Sequence, residues 1–223
     1  MTRALYLVIS TTFCLLGLAA CGGAQTGSSG FVADVGYVSA TAETAERRLS
    51  VPVPLKLYLG PKVQDAYTVQ PSPHMKNNFS DFRRSVSDVI KNAFAPNFST
   101  VDIEAAESRQ GVELLILMAS MQETNTIKYQ AVLTLDGQEV IDITGETEGM
   151  IIQMGGSRQA LMAQYPGKIE ELTADALKKL GEAVYSGIMR SQKLEDEGFW
   201  DKLAGAAPAA GEAEAPAAEA SGE

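Results

Sequence analysis

The chain has 223 residues, of which 28 are acidic and 18 are Lys or Arg, so its formal net charge at pH 7 is -10. This acidic balance excludes sequence-independent nucleic-acid binding, which depends on Lys and Arg side chains that neutralise phosphates. Its 2 cysteines, Cys14 and Cys21, lie near the start, so a disulfide framework is excluded for the rest of the chain. The length suits one domain stabilised by a hydrophobic core.

The first twenty residues have the three parts of a secretory signal peptide. Arg3 supplies the positive charge, residues 4–18 form an apolar run, and small residues follow. At about fifteen residues the apolar run is shorter than the ~20 residues that a membrane-spanning helix needs. We therefore expect residues 1–20 to be removed after export.

The tetrapeptide Leu18-Ala19-Ala20-Cys21 has the pattern of a bacterial lipobox. In such a sequence the cysteine sulfur accepts a diacylglyceryl group, and cleavage then frees its amine for a further acyl chain such as palmitate. More than one chain gives stable membrane attachment, whereas a single myristoyl chain is marginal. Gly22, in place of an Asp, is typical of lipoproteins sent to the outer membrane. Cys21 is therefore predicted to anchor the chain on the periplasmic face of a Gram-negative outer membrane; the alternative is an ordinary secretory signal.

Three regions follow Cys21. Residues 21–50 are rich in Gly, Ser, Thr and Ala and are predicted to form a flexible tether. Residues 51–203 are predicted to form a single α+β domain, and residues 204–223 a disordered Ala/Pro/Glu tail.

The first half of the domain is predicted to form a strand, a loop and a helix. Residues 51–59 alternate with the period of a strand, while residues 60–76 contain three prolines and the only histidine, His74, and predict a long surface loop. From Phe79 to Phe94 apolar residues recur at helical spacing. Asn78 or Ser80 is the expected N-terminal cap, and Pro96 ends the helix.

Strands follow. Residues 101–104 and 112–121 predict two strands, and the second is expected to be central because residues 114–118 are continuously apolar. Residues 126–135 predict a third, joined by an Asp136-Gly137 hairpin turn to a fourth that starts at Gln138. After Gly149 the polar face becomes apolar at Met150, Ile152 and Met154. Either a bulge exchanges the two faces there, or an exposed apolar patch begins.

The C-terminal part of the domain is helical. Ser157 is the expected cap, and Pro166-Gly167 is expected to divide the helical region before a long stripe begins at Ile169. Phe199 and Trp200 either dock onto the domain or recognise a partner. The predicted fold class is α+β, with a mainly antiparallel sheet of about five strands and two long amphipathic helices packed on one face.

The region from about residue 55 to 189 resembles the YajG-type family of bacterial lipoproteins. The segments that carry the resemblance are residues 81–94 (DFRRSVSDVIKNAF), 112–118 (VELLILM), 127–135 (IKYQAVLTL) and 145–150 (GETEGM). The resemblance implies a lipoprotein domain that faces the periplasm.

Catalytic motifs are missing from the sequence. It has no Gly-x-Ser-x-Gly elbow and no phosphate-binding loop, and its single histidine cannot form a His-x-x-x-His pair. We predict no enzymatic activity, no cofactor and no metal. The expected function is that of an accessory or scaffold of an envelope protein complex in transport, secretion or outer-membrane assembly. Its candidate partner surface comprises Met150, Ile152, Met154, Phe199 and Trp200; the alternative is a pocket that binds lipid or another hydrophobic ligand.

Overall fold

The computed structural model describes residues 30–44, 50–149 and 154–205. The predicted signal peptide, Cys21, Met150, Ile152 and residues 206–223 lie outside these ranges. Within the described part of the chain, no helix combines the length and the apolar character needed to cross a membrane.

Along the described chain, four strands are followed by one helix, four more strands and three helices. Their bounds are β1 Phe31–Val35, β2 Leu55–Leu59, β3 Tyr67–Ser72, β4 Met75–Phe79, α1 Phe82–Phe94, β5 Val101–Glu104, β6 Val112–Met121, β7 Ile127–Leu135, β8 Gln138–Glu146, α2 Arg158–Met189, α3 Gln192–Asp196 and α4 Phe199–Gly205.

The larger sheet has five strands in the order β5-β2-β6-β7-β8. Strands β6, β7 and β8 pair antiparallel, and β2 pairs parallel with both β5 and β6. Strand β6 is central, as its apolar run predicts. Asp136 and Gly137 both have positive φ angles, as the predicted two-residue turn requires. The α+β prediction with a five-stranded sheet is confirmed.

One face of this sheet packs against the two long helices. Leu57 of β2, Leu114 of β6 and Ala131 of β7 are fully buried in the same cluster as Ile90 of α1 and Leu177 of α2. The helical stripes predicted from the sequence therefore do face the sheet.

A second, three-stranded sheet was not expected. Its order is β1-β4-β3, with β1 parallel and β3 antiparallel to β4. The prediction that residues 21–50 are a flexible tether is therefore wrong for residues 31–44, since β1 is paired and Val38 and Ala42 are buried. The loop predicted at residues 60–76 is also wrong for residues 67–72 and 75–76, which form β3 and the start of β4. Pro71 lies where the β3–β4 register shifts, the kind of position at which a strand tolerates proline.

Helix α1 starts later than predicted, and helix α2 starts as predicted but is not divided. Helix α1 begins at Phe82, because Asn78 and Phe79 are paired in β4; Asp81 occupies the cap position in a left-handed conformation with φ 56°. In α2 the predicted division at Pro166-Gly167 is absent, and the helix runs for 32 residues. Ser157 does cap it, with its side-chain oxygen accepting a hydrogen bond from the Ala160 N–H at 3.3 Å.

Two buried tyrosines fix α2 on the rest of the domain. Tyr165 donates to Asn77 Oδ1 of β4 at 2.7 Å, and Tyr185 donates to Asn97 Oδ1 at 3.0 Å. Because these contacts lie near opposite ends of the helix, sliding or rotation of α2 would break both. The Tyr165–Asn77 bond holds the start of α2 against the three-stranded sheet.

Candidate functional site

The predicted partner surface is not assembled as one surface. Phe199 and Trp200 are only 7% and 6% exposed, and the Trp200 ring packs edge-on against Phe98 with centroids 6.2 Å apart. The docking interpretation is therefore the correct one for this segment, and the two aromatic residues are removed from the candidate surface. The physical reason is that α3 and α4 fold back on the core, where rings of this size bury a large apolar area. Met150 and Ile152 lie outside the described residues.

Met154, the remaining member, is half-buried and lines a cavity of about 680 Å³. The other lining residues come from the β3–β4 hairpin, the β6–β7 turn, the end of β8 and the first turns of α2; they are Pro71, Met75, Asn77, Thr124, Asn125, Thr126, Glu146, Gly149, Tyr165, Lys168, Ile169 and Leu172. The cavity thus lies where the small sheet, the large sheet and the start of α2 meet.

The floor of the cavity is apolar. Tyr165, Ile169 and Leu172 recur every three or four residues, so they share one face of α2, and all three are buried. The Tyr165 ring is held from the other side by Phe31 of β1, with centroids 5.4 Å apart. Strand β1 therefore supports the wall that α2 provides.

Charged groups at the rim are paired within the protein. Lys168 donates to Glu171 at 2.6 Å. Glu146 accepts a hydrogen bond from Thr126 and lies 3.8 Å from Lys128. These charges remain partly exposed, so the cavity has a polar, solvated mouth and an apolar interior.

One polar pair lies inside the cavity wall. Asn77 is 1% exposed, and its Oδ1 accepts the Tyr165 hydroxyl hydrogen bond. Burial raises the pKa of Tyr165, and the hydrogen bond with Asn77 opposes this shift in part. Tyr165 therefore stays protonated at neutral pH and remains a donor to Asn77.

The lining suits binding of an apolar molecule. It combines apolar side chains with a few polar groups, and its volume lies within the ~300–1,000 Å³ typical of small-molecule sites. Among residues 30–44, 50–149 and 154–205, no three His, Cys, Asp or Glu side chains are grouped as metal ligands.

A second, more open groove of about 560 Å³ runs between α1 and the edge strand β5. Arg83 lies in its wall and donates to the carbonyls of Leu59, Gly60 and Val63, so its guanidinium has a structural role at the end of β2. Ile103 of β5 also lines the groove and is 50% exposed.

The sequence identified one residue of the larger cavity, Met154. The sequence prediction places Asn77 in no element, since it follows the loop predicted at residues 60–76, and Tyr165 precedes the stripe predicted to begin at Ile169. A usable signal was the alternation of Met75, Asn77 and Phe79, which is the period of a strand with one covered face. It places Asn77 on the buried side.

Comparisons with known proteins give a distant structural similarity. No protein-family model matches the chain, and no curated protein sequence matches it. One similar solved structure is protein XCC0632 from Xanthomonas campestris, described under the family model DUF330, with 14% identity and a TM-score of 0.36; the match covers 72% of this chain and 98% of that one. Another, described as an uncharacterized protein, has 11% identity and a TM-score of 0.30, and the match covers 64% of this chain and 99% of the other.

Proposed function

We propose that this protein is a non-enzymatic lipoprotein of the bacterial envelope that binds a lipid or similar hydrophobic ligand in the cavity between its two sheets and α2. The observation that carries the proposal is the apolar cavity of about 680 Å³ with its polar mouth. The lipobox at Cys21 supports attachment to the outer membrane, with the domain facing the periplasm. The resemblance to YajG-type lipoproteins is consistent with that location and remains a prediction.

Burial energetics indicate the size of ligand. Each methylene that leaves water contributes ~0.8 kcal/mol, and association costs at least about 4 kcal/mol in lost freedom. A chain of about sixteen methylenes would contribute roughly 13 kcal/mol. After the association cost is subtracted, about 9 kcal/mol of binding free energy remains, and micromolar affinity needs about 8 kcal/mol. An acyl chain is therefore the simplest apolar ligand for this cavity.

The test is to identify the lipid that copurifies with the full-length protein. Met75 is half-buried and lines the cavity, so Met75→Trp should fill the space and reduce bound lipid by about tenfold, the effect of losing ~1.4 kcal/mol. Lys76→Trp is the matched control, because the adjacent residue is exposed on the other face of β4. Bound lipid is measured by mass spectrometry after extraction. Equal lipid in wild type and Met75→Trp, at unchanged melting temperature, would refute the ligand-binding function.

The anchor is tested separately. Cys21→Ser should abolish labelling with radioactive palmitate and release the protein from the membrane fraction. Labelling that persists in Cys21→Ser contradicts the lipobox, while leaving the cavity proposal open to its own test.

A second candidate is the accessory role in an envelope protein complex. It is favoured by the exposed Ile103 on β5, a strand that is paired on one side only among the described strands. Unpaired strand edges can accept an additional strand from a partner. A photo-crosslinker at Ile103 should then capture a membrane protein in the native envelope, and one at Glu170, exposed on helix α2 and not on a strand edge, serves as the control. Recovery of monomer alone from both positions would count against this role.

A further inference from the structure

The Asn77–Tyr165 pair inside the cavity wall has three hydrogen-bond donors, of which the bond within the pair uses one. Asn77 carries two N–H donors and Tyr165 one O–H donor, and one hydrogen bond joins them. Among the described residues, no other group accepts a hydrogen bond from Asn77 Nδ2, and this atom is not one of the fully buried unpaired atoms, which is consistent with its access to the cavity that Asn77 lines. The surplus is the same whichever atom of the amide faces Tyr165, because either arrangement uses one of the three donors. Within the described part of the chain, at least two of these donors therefore have no acceptor.

Unpaired donors in a buried position are costly. Most buried polar atoms have a partner, and one left without a partner costs about 1–3 kcal/mol. Asn77 is 1% exposed and lines the cavity, so an acceptor bound in the cavity can reach its amide. A ligand atom there gains the hydrogen bond without a loss elsewhere in the protein.

We propose that the ligand carries an oxygen acceptor, the carbonyl or carboxylate oxygen of an acyl chain, to which the Asn77 side-chain amide donates. This inference rests on the proposed function and names the ligand class for the same cavity. The acyl chain lies along Ile169, Leu172 and Met75, and its oxygen lies at the Asn77–Tyr165 pair. A ligand with an amine headgroup at this position is disfavoured, because its N–H donors would face the unpaired N–H donors of Asn77.

The experiment measures binding of radiolabelled palmitate, methyl palmitate and hexadecane to the full-length protein held in amphipol. Met75→Trp gives the background for each probe. Wild type should bind methyl palmitate about tenfold more tightly than hexadecane, the effect expected of one buried hydrogen bond. With methyl palmitate bound more tightly than hexadecane, equal binding of palmitate and methyl palmitate indicates that the carbonyl suffices, while tighter binding of palmitate than of methyl palmitate indicates a free acid; both results support the inference.

A double variant removes both polar side chains of the pair, so neither is left with an unpaired polar atom. In Asn77→Leu with Tyr165→Phe, both partners become apolar, a change that can be nearly neutral for stability. The variant should bind hexadecane within about twofold of wild type and lose the tenfold preference for the oxygen-bearing probes. Tyr165→Phe alone keeps the Asn77 donors and should keep that preference.

The failures of the two proposals are distinguishable. If wild type binds hexadecane and methyl palmitate equally, or if the double variant keeps the preference, the oxygen does not lie at Asn77 and this inference is overturned while the cavity still binds lipid. If no probe binds above the Met75→Trp background, both proposals are overturned. The wild-type comparison needs no variant, so it decides the inference even if the double variant does not fold.

Discussion

Gly181 is the point at which α2 touches both α1 and the segment that follows β1. A Cβ atom added there would lie 2.8 Å from the Cβ of Ala42 and 3.1 Å from Cγ2 of Val89. Both distances are shorter than ordinary van der Waals contacts. Adding one methyl group at this glycine therefore tests whether residues 36–44 are folded against the helices, where the sequence predicts a flexible tether.

The structure gives the expected magnitude. Gly181→Ala gains about 1 kcal/mol of helix propensity and loses about 1–3 kcal/mol to overpacking, so we expect the free energy of unfolding to fall by up to about 2 kcal/mol. Gly167 lies on the same helix with no atom within 4 Å of an added Cβ. Gly167→Ala, the control, should raise the free energy of unfolding by about 0.5–1 kcal/mol.

Urea unfolding of the full-length variants measures both changes, and a double-mutant cycle isolates the contact. Adding Ala42→Gly to Gly181→Ala removes the nearest clash, so the two substitutions should be coupled by about 1 kcal/mol in the favourable direction. If Gly181→Ala and Gly167→Ala stabilise the protein equally, or if the coupling is zero, Ala42 does not pack on Gly181 and the reassignment of residues 31–44 fails at this contact.

Two further predictions concern buried polar groups. Glu113 is buried and its carboxylate accepts two backbone N–H groups of the loop before it, so Glu113→Gln should lower the free energy of unfolding by about 1.5–3 kcal/mol in urea titrations, whereas Glu107→Gln, an exposed control, should leave it unchanged. Burial raises the pKa values of Tyr67, Tyr129 and Tyr165 above the ordinary 10.0. Their contribution to stability is therefore fully present below pH 10 and is lost as the pH rises further, because the unfolded chain releases phenolic protons that the folded chain retains. A urea midpoint that is constant above pH 10, or phenolate absorbance that titrates in the folded protein as in free tyrosine, would contradict this.

Elements with a strong local pattern could be predicted from the sequence. The run Leu114-Leu115-Ile116 predicts a central strand, since a strand with polar residues on one face would alternate. Asp136-Gly137 predicts its hairpin because both residues tolerate positive φ. The apolar stripe of α2 from Ile169 onward likewise predicts the face that is buried. In each case the residues that decide the structure are neighbours in the chain or lie on one face of one element.

The three-stranded sheet could not be predicted in this way, because its pairing is not local. Phe31 of β1 pairs with Met75 of β4, more than forty residues later, and five alternating residues within a Gly- and Ser-rich region are a weak signal by themselves. Pro71 further weakened the signal for β3. A strand-forming tendency of this strength depends on tertiary contacts, which periodicity does not report.

The cavity depends on that non-local sheet. Asn77 belongs to the small sheet, and Tyr165 is packed against Phe31, so both residues that we assign to the ligand oxygen are positioned by elements that the sequence did not predict. The apolar stripe of α2 could be predicted by itself, but the wall that faces it across the cavity could not, because that wall exists once β1, β3 and β4 have paired.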